Sequence, residues 1–133
     1  MLENRKKELF EKFGIEKFAE VKIADLSTGM KQKVSNVISI VHEPDVIIFD
    51  EPTNGLDVIT AKVVTDFLKE LKCQNKIIII STDIFSLVEK LCDRVGIIIN
   101  VKMIKSGELV ELTKEKDLEE LFFELYKEEV GEK

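Results

Sequence analysis

The sequence predicts an α/β fold with a mostly parallel sheet, flanking helices and a C-terminal β-hairpin followed by a helix. Three short apolar runs, at residues 46–49, 77–80 and 95–99, are rich in β-branched side chains, which is typical of strands buried on both faces. Between the first two runs, and after the second, apolar residues recur at the spacing of amphipathic helices. Strands that alternate with helices pair in parallel, because each helix carries the chain back to the same end of the sheet.

Length and charge narrow the class of protein. The chain has 133 residues, the size of one domain, and its 26 acidic and 20 basic residues are interspersed and give a net charge of −6. A nucleic-acid-binding protein needs a basic face, so no nucleic-acid partner is expected. The single histidine excludes a multi-histidine metal site, and Cys73 and Cys92 have no metal-type spacing. No apolar run reaches the roughly 18 residues of a membrane span.

The N-terminal segment is predicted to be helical. A charged, amphipathic helix is expected from Glu3 to Phe13 and a second, shorter one from Ile15 to Val21. A loop then leads into a helix from about Lys31 to His42, and Ser27 and Thr28 before it are good N-cap residues.

Two adjacent carboxylates follow the first apolar run. Asp50 and Glu51 come directly after the predicted strand, and the carboxyl ends of parallel strands are where ligands bind in α/β proteins. Such a pair suits metal-assisted chemistry, in which the first carboxylate holds Mg²⁺ and the second polarises an attacking water.

Two further helices are predicted around the second strand. Asp57 opens a helix that runs to about Lys72, and its side chain is a plausible N-cap. The strand at 77–80 ends at Ser81-Thr82-Asp83, and we expect Asp83 to cap a helix from Ile84 to Asp93. The sheet is predicted to hold two or three parallel strands with helices on both faces.

The C-terminal part is predicted to be a hairpin and a helix. Val101 lies in the hairpin turn, where a glycine would be preferred because β-branched residues disfavour a positive φ angle. Ser106-Gly107 is predicted to be a turn, residues 109–112 a short helical piece, and Thr113 the cap of a last helix to about Glu129.

Three segments carry a family resemblance. Residues 46–57 resemble the Walker B motif and D-loop of ATP-binding cassette (ABC) proteins, and residues 26–32 resemble the signature motif of that family. Ser81-Thr82 stands where the family has its switch loop. The resemblance implies a partial, ABC-type P-loop NTPase core. Its parts would be the tail of the helical subdomain at 1–24, the motif-bearing core at 25–99, and the hairpin and C-terminal helix at 100–133.

The resemblance implies a role for each matching residue. Asp50 would support Mg²⁺ and Glu51 would activate water, while Ser27 and Gly29 would contact the γ-phosphate of ATP held by the opposite subunit. An ordinary capped helix without a ligand is the other interpretation of the segment that holds Ser27 and Gly29. Asp57 would communicate between the two sites of a dimer, alongside its capping role.

One position departs from the family pattern. Asp83 occupies the place of the switch histidine, which donates a hydrogen bond to the γ-phosphate. An ionised aspartate has no proton to donate, and its charge repels the phosphate. The departure puts hydrolysis in doubt.

The sequence also contains no Gly-x-x-x-x-Gly-Lys-Ser/Thr phosphate loop. The resemblance therefore covers about the C-terminal half of a cassette and leaves open whether the chain is an enzyme; we expect no ATPase activity from it alone. The implied partners are a complementary N-terminal half or second ATP-binding subunit, and a transmembrane permease subunit at the inner face of the cell membrane, with the chain in the cytoplasm. The alternative is a non-catalytic, cassette-derived scaffold that works by association.

Overall fold

A computed structural model describes residues 2–131, which divide into two compact units, residues up to 82 and residues from 83. The first unit contains α1 (Leu2–Phe13), α2 (Thr28–Ile40), β1 (Val46–Asp50), α3 (Val58–Lys72) and β2 (Ile77–Ser81). The second contains α4 (Phe85–Leu91), β3 (Arg94–Ile99), β4 (Lys102–Glu108), α5 (Leu109–Leu112) and α6 (Leu118–Val130). Met1, Glu132 and Lys133, which the predicted domain boundaries include, lie outside the described residues. The predicted boundaries after residues 24 and 99 stay predictions.

The N-terminal helices differ in length from their predictions. The helix expected from Ile15 to Val21 is only a 3₁₀ turn, Glu16–Phe18, because Ile15 and Phe18 are the buried residues of that segment and one turn is enough to bury both. Helix α2 begins three residues earlier than predicted. The side chain of Ser27 accepts a hydrogen bond from the backbone of Met30, which allows the helix to begin at Thr28.

Strands β1 and β2 pair in parallel, as the sequence predicted. The register runs from Val46 opposite Ile77 to Asp50 opposite Ser81. The two strands therefore end side by side, and the residues that follow them lie at one edge of the sheet.

The prediction that these strands are buried on both faces is wrong for the described residues. Ile47 and Phe49 are buried, whereas the side chains on the other face of the pair are exposed. The exposed apolar residues of this face are Val46, Ile48, Ile77 and Ile79, and we call them the open sheet face. A strand that is apolar on both faces predicts burial of both faces. In this unit only the face that holds Ile47 and Phe49 is part of the core.

The second unit is a hairpin packed against helices. Strands β3 and β4 pair antiparallel through a two-residue turn at Asn100 and Val101, and β3 pairs with no other strand in the described part of the chain. The core contains Ile97, Ile99, Leu118 and Leu121. The predicted turn at Ser106-Gly107 is wrong: both residues belong to β4 and pair with β3, so the hairpin is longer than the apolar pattern indicated.

The last helix has a different cap from the predicted one. Asp117 accepts a hydrogen bond from the backbone N–H of Glu120, and the side chain of Glu120 accepts one from the backbone N–H of Asp117. This reciprocal capping box begins α6 at Leu118. Thr113 is not the cap, because it follows the last residue of α5 and its hydroxyl donates to the carbonyl of Leu109, the first residue of that helix.

Candidate functional site

Asp50 lies at the carboxyl end of β1, with its side chain exposed. The register places it directly opposite Ser81, the last residue of β2. The hydroxyl of Ser81 donates a hydrogen bond to Oδ1 of Asp50 at 2.5 Å. The predicted position of Asp50 at the edge of a parallel sheet is confirmed.

Glu51 adopts an uncommon backbone conformation. Its φ angle is +51°, in the left-handed region that non-glycine residues rarely occupy. Its N–H donates to the carbonyl of Ser81 at 2.8 Å, and its carbonyl accepts from Asn54 at 3.1 Å. Backbone strain of this kind is concentrated at functional sites, where neighbouring contacts hold it in place.

Ser27 and Gly29 lie at the start of α2. The Oγ atom of Ser27 accepts from the backbone N–H of Met30 at 3.1 Å, a bond that does not use the hydroxyl proton. Gly29 lies against the loop after β1, because a Cβ atom placed on it would be 2.8 Å from the carbonyl oxygen of Gly55. The requirement for glycine therefore has an internal reason, close contact with Gly55, besides the approach to a phosphate that the resemblance implies.

Asp57 is the N-cap of α3, as predicted. Its Oδ1 accepts from the backbone N–H of Thr60 at 2.7 Å. This hydrogen bond holds the pKa of Asp57 below its ordinary value of 3.8, because it favours the ionised form. The role of Asp57 between two sites stays a prediction.

Asn36 is a site residue that the sequence reasoning missed. It is 2% exposed; its Nδ2 donates to the carbonyl of Pro52 at 3.1 Å and its Oδ1 accepts from Gln32 at 3.2 Å. A polar residue beside the buried Val37 and Ile40 of the same helix was the available signal. The loop from Glu51 to Asp57 is thus attached to α2 at two places, Asn36 with Pro52 and Gly29 with Gly55.

Asp83 belongs to the second unit and is exposed. The prediction that it caps the following helix is wrong. Helix α4 begins at Phe85, so its N-cap is Ile84, and no side-chain hydrogen bond caps it. Because capping requires the residue directly before the helix, the later start of α4 leaves Asp83 one position too early.

The residues at the sheet edge fit a magnesium ion that is shared with phosphate. Within residues 2–131 no group of three or more His, Cys, Asp or Glu side chains could hold a metal ion by itself. Magnesium usually keeps several waters and takes one or two protein carboxylates together with substrate phosphate oxygens. One exposed carboxylate, Asp50, beside a hydroxyl matches that donor set. In the same residues no helix is both long and apolar enough to cross a membrane.

Comparisons of the sequence identify a family. The family model described as "ABC transporter" matches residues 2–54. The chain is 40% identical over 101 residues to an uncharacterized ABC transporter ATP-binding protein of Methanocaldococcus jannaschii, covering 76% of this chain and 38% of the relative. It is 37% identical over 106 residues to the ABC transporter ATP-binding protein NatA of Bacillus subtilis, covering 80% of this chain and 41% of the relative.

A solved structure described as the ATP binding subunit of an ABC transporter has the same fold. The two chains superpose with a TM-score of 0.86 at 32% identity, over 93% of this chain and 54% of the solved one. The predicted fold class and the resemblance to ATP-binding cassette proteins are both confirmed. The chain spans about half the length, or less, of the relatives that it matches.

Proposed function

Because the chain belongs to the family of ABC transporter ATP-binding subunits, we propose that it forms the C-terminal part of such a subunit and contributes to ATP binding and to the hydrolysis that powers membrane transport. The observation that carries the proposal is the sheet edge, where Asp50 and Glu51 follow one parallel strand and Ser81 ends the next. The loop after these acids is attached to the helix start that holds Ser27 and Gly29.

The acid pair has two roles in this proposal. Asp50 holds Mg²⁺, and Glu51 polarises the attacking water by accepting its proton. When bound, the magnesium ion neutralises charge on the phosphate oxygens. The exposure of Asp50 and the strained backbone of Glu51 support these assignments.

The start of α2 has the second role. Helix N-termini carry free N–H groups and partial positive charge, so Ser27 and Gly29 are placed to contact the γ-phosphate of ATP bound by another subunit. Asp57 couples the two sites. The attachment of its loop to α2 supports a coupling role, because a displacement of one segment is passed to the other.

Partners complete the site in this proposal. A complementary N-terminal half or a second ATP-binding subunit supplies the phosphate loop, and a transmembrane permease subunit holds the assembly at the cytoplasmic face of the membrane. The open sheet face supports an association, because parallel sheets in α/β proteins are covered on both faces.

A second candidate is a cassette-derived scaffold that associates without catalysis. Asp83 at the switch position favours it, because an ionised carboxylate cannot donate a hydrogen bond to phosphate. In this case the chain assembles with its partner but does not support turnover.

Complementation distinguishes the two candidates. The chain would be mixed with an N-terminal half of a related ATP-binding subunit that carries the phosphate loop, and Mg-ATP binding and hydrolysis would be measured. Hydrolysis that Glu51→Gln lowers by about 100-fold or more supports the catalytic proposal. Association without hydrolysis supports the scaffold, and the absence of both rejects both. Turnover by the chain alone that Glu51→Gln abolishes would contradict the expected need for a partner.

A further inference from the structure

We propose that Ser81 is a positioning residue that fixes the orientation of the Asp50 carboxylate for a divalent cation. Its meaning for catalysis rests on the proposed function, whereas the contacts that carry it lie within the first unit. Neither the family match nor the comparisons assign a role to this residue.

The first step of the argument is the side-chain contact. Ser81 and Asp50 are cross-strand partners at the ends of β2 and β1. The Ser81 hydroxyl donates its single proton to Oδ1 of Asp50 at 2.5 Å. A hydrogen bond to an ionised acceptor is roughly twice as strong as one between neutral groups, so this bond selects one rotamer of the exposed carboxylate.

The second step is the backbone contact. The carbonyl of Ser81 accepts the N–H of Glu51 at 2.8 Å, one residue beyond the end of β1. This bond holds the chain at the point where Glu51 takes its positive φ angle. Ser81 therefore contacts both acids, one with its side chain and the other with its backbone.

The third step concerns the oxygen that remains. Because Oδ1 of Asp50 accepts the hydrogen bond from Ser81, Oδ2 is the oxygen that we assign to the cation and its water shell. Without the hydroxyl the exposed carboxylate would rotate freely, and it would have to be ordered when the cation binds. Partners of this kind behind a metal ligand change metal affinity by about 10- to 100-fold.

The experiment uses Mn²⁺ alone as a paramagnetic probe and needs neither ATP nor a partner. Broadening of backbone amide signals would be followed by NMR during a Mn²⁺ titration of the chain, of Ser81→Ala and of Ser81→Thr. In the unchanged chain we expect the amide signals around Asp50 and Glu51 to broaden. In Ser81→Ala the Mn²⁺ concentration that gives half of the full broadening is expected to rise by about tenfold. In Ser81→Thr, which keeps the hydroxyl, this concentration is expected to return to that of the unchanged chain.

Ser106→Ala is the matched control, because Ser106 is an exposed serine on a strand of the second unit. Its titration is expected to equal that of the unchanged chain. If Ser81→Ala does not fold, Ser81→Val replaces it, because valine has the shape of the threonine in the rescue variant but carries no hydroxyl.

The outcomes separate the two proposals. Equal Mn²⁺ dependence in the chain and in Ser81→Ala overturns the role of Ser81 and leaves the proposed function standing. The absence of any broadening around Asp50 in the unchanged chain overturns the role of Ser81 in preparing a cation site, and leaves standing the proposed function, in which phosphate supplies the other oxygens around the cation.

Discussion

Glu51 and Val101 are two of the five described non-glycine residues that have a positive φ angle. Glu51, with a φ angle of +51°, is the second of the two acids and the first residue of the loop that leads to α3, where a function is proposed. Val101, with a φ angle of +64°, lies in the tight turn of the hairpin and is 98% exposed. Contacts with Ser81 and Asn54 hold the first, whereas an exposed side chain has little to compensate for the strain of the second.

Val101→Gly is expected to stabilise the hairpin unit by about 1 kcal/mol, because glycine adopts a positive φ angle without the steric cost of a β-branched side chain. Urea unfolding, followed by a signal from this unit, measures the change. Val110→Gly is the control: Val110 is 73% exposed but lies in helix α5, where glycine is expected to destabilise. A destabilised Val101→Gly would contradict the prediction.

Asp57 gives the chain a pH-dependent cap. The folded state lowers the pKa of Asp57, so its contribution to stability is present above its ordinary value of 3.8 and is lost as the pH falls through the lower folded value. Asp57→Asn keeps a capping side chain but removes the charge. We therefore expect the melting temperatures of the two proteins, measured from pH 6 downward, to converge below about pH 4.

Asp57→Ala tests the cap itself and is expected to lower the melting temperature at neutral pH, because the N–H of Thr60 loses its acceptor. If the melting temperatures of the unchanged chain and of Asp57→Asn differ by the same amount at every pH, the charge of the carboxylate contributes nothing to stability.

At the scale of elements, a helix and a loop are joined by a buried polar side chain. Asn36 of α2 bonds the carbonyl of Pro52, and Pro52 itself is fully buried. A buried carbonyl that loses its donor costs free energy, so this contact both positions the loop and makes it sensitive to substitution.

Asn36→Leu, similar in shape but apolar, is expected to destabilise the first unit by about 1–3 kcal/mol, because the Pro52 carbonyl loses its donor. Hydrogen exchange is also expected to speed up at the amides of Asn54 and Leu56, which bond within this loop. Gln32→Ala, which leaves the bond to Pro52 in place, is the control with a smaller effect. Unchanged exchange in Asn36→Leu would mean that Asn36 does not position the loop.

At the scale of the molecule, the open sheet face is the largest departure from the expected burial. Ile48 is 69% and Ile79 is 52% exposed, and they are partners across the parallel pair. Apolar patches of this kind mark association surfaces.

The double variant Ile48→Thr and Ile79→Thr is expected to weaken binding to the complementing half by about tenfold or more, since two β-branched residues keep their strand preference but lose apolar area. Isothermal titration measures the affinity. Ile98→Thr, at an exposed apolar position of β3, is the control, and equal affinity of the double variant and the unchanged chain would exclude the open sheet face from the interface.

Local patterns predicted the elements that depend on neighbouring residues. The apolar runs gave both strands of the parallel pair and the hairpin, and Asp57 was correctly identified as a cap. The cap assignments of Asp83 and Thr113 failed because each helix begins only a few residues from the predicted place, and a cap works at one position alone. Periodicity locates a helix more accurately than it locates the end of one.

The sequence by itself determined the family motifs, the strand and helix types and the position of the acid pair after a strand, because these follow from residues that are close together in the chain. The tertiary structure decided which sheet face is buried, that Ser81 holds Asp50 across 31 residues, and that Asn36 holds Pro52 across 16. Such contacts form only when packing brings distant segments together, and no local preference of a serine or an asparagine specifies its distant partner.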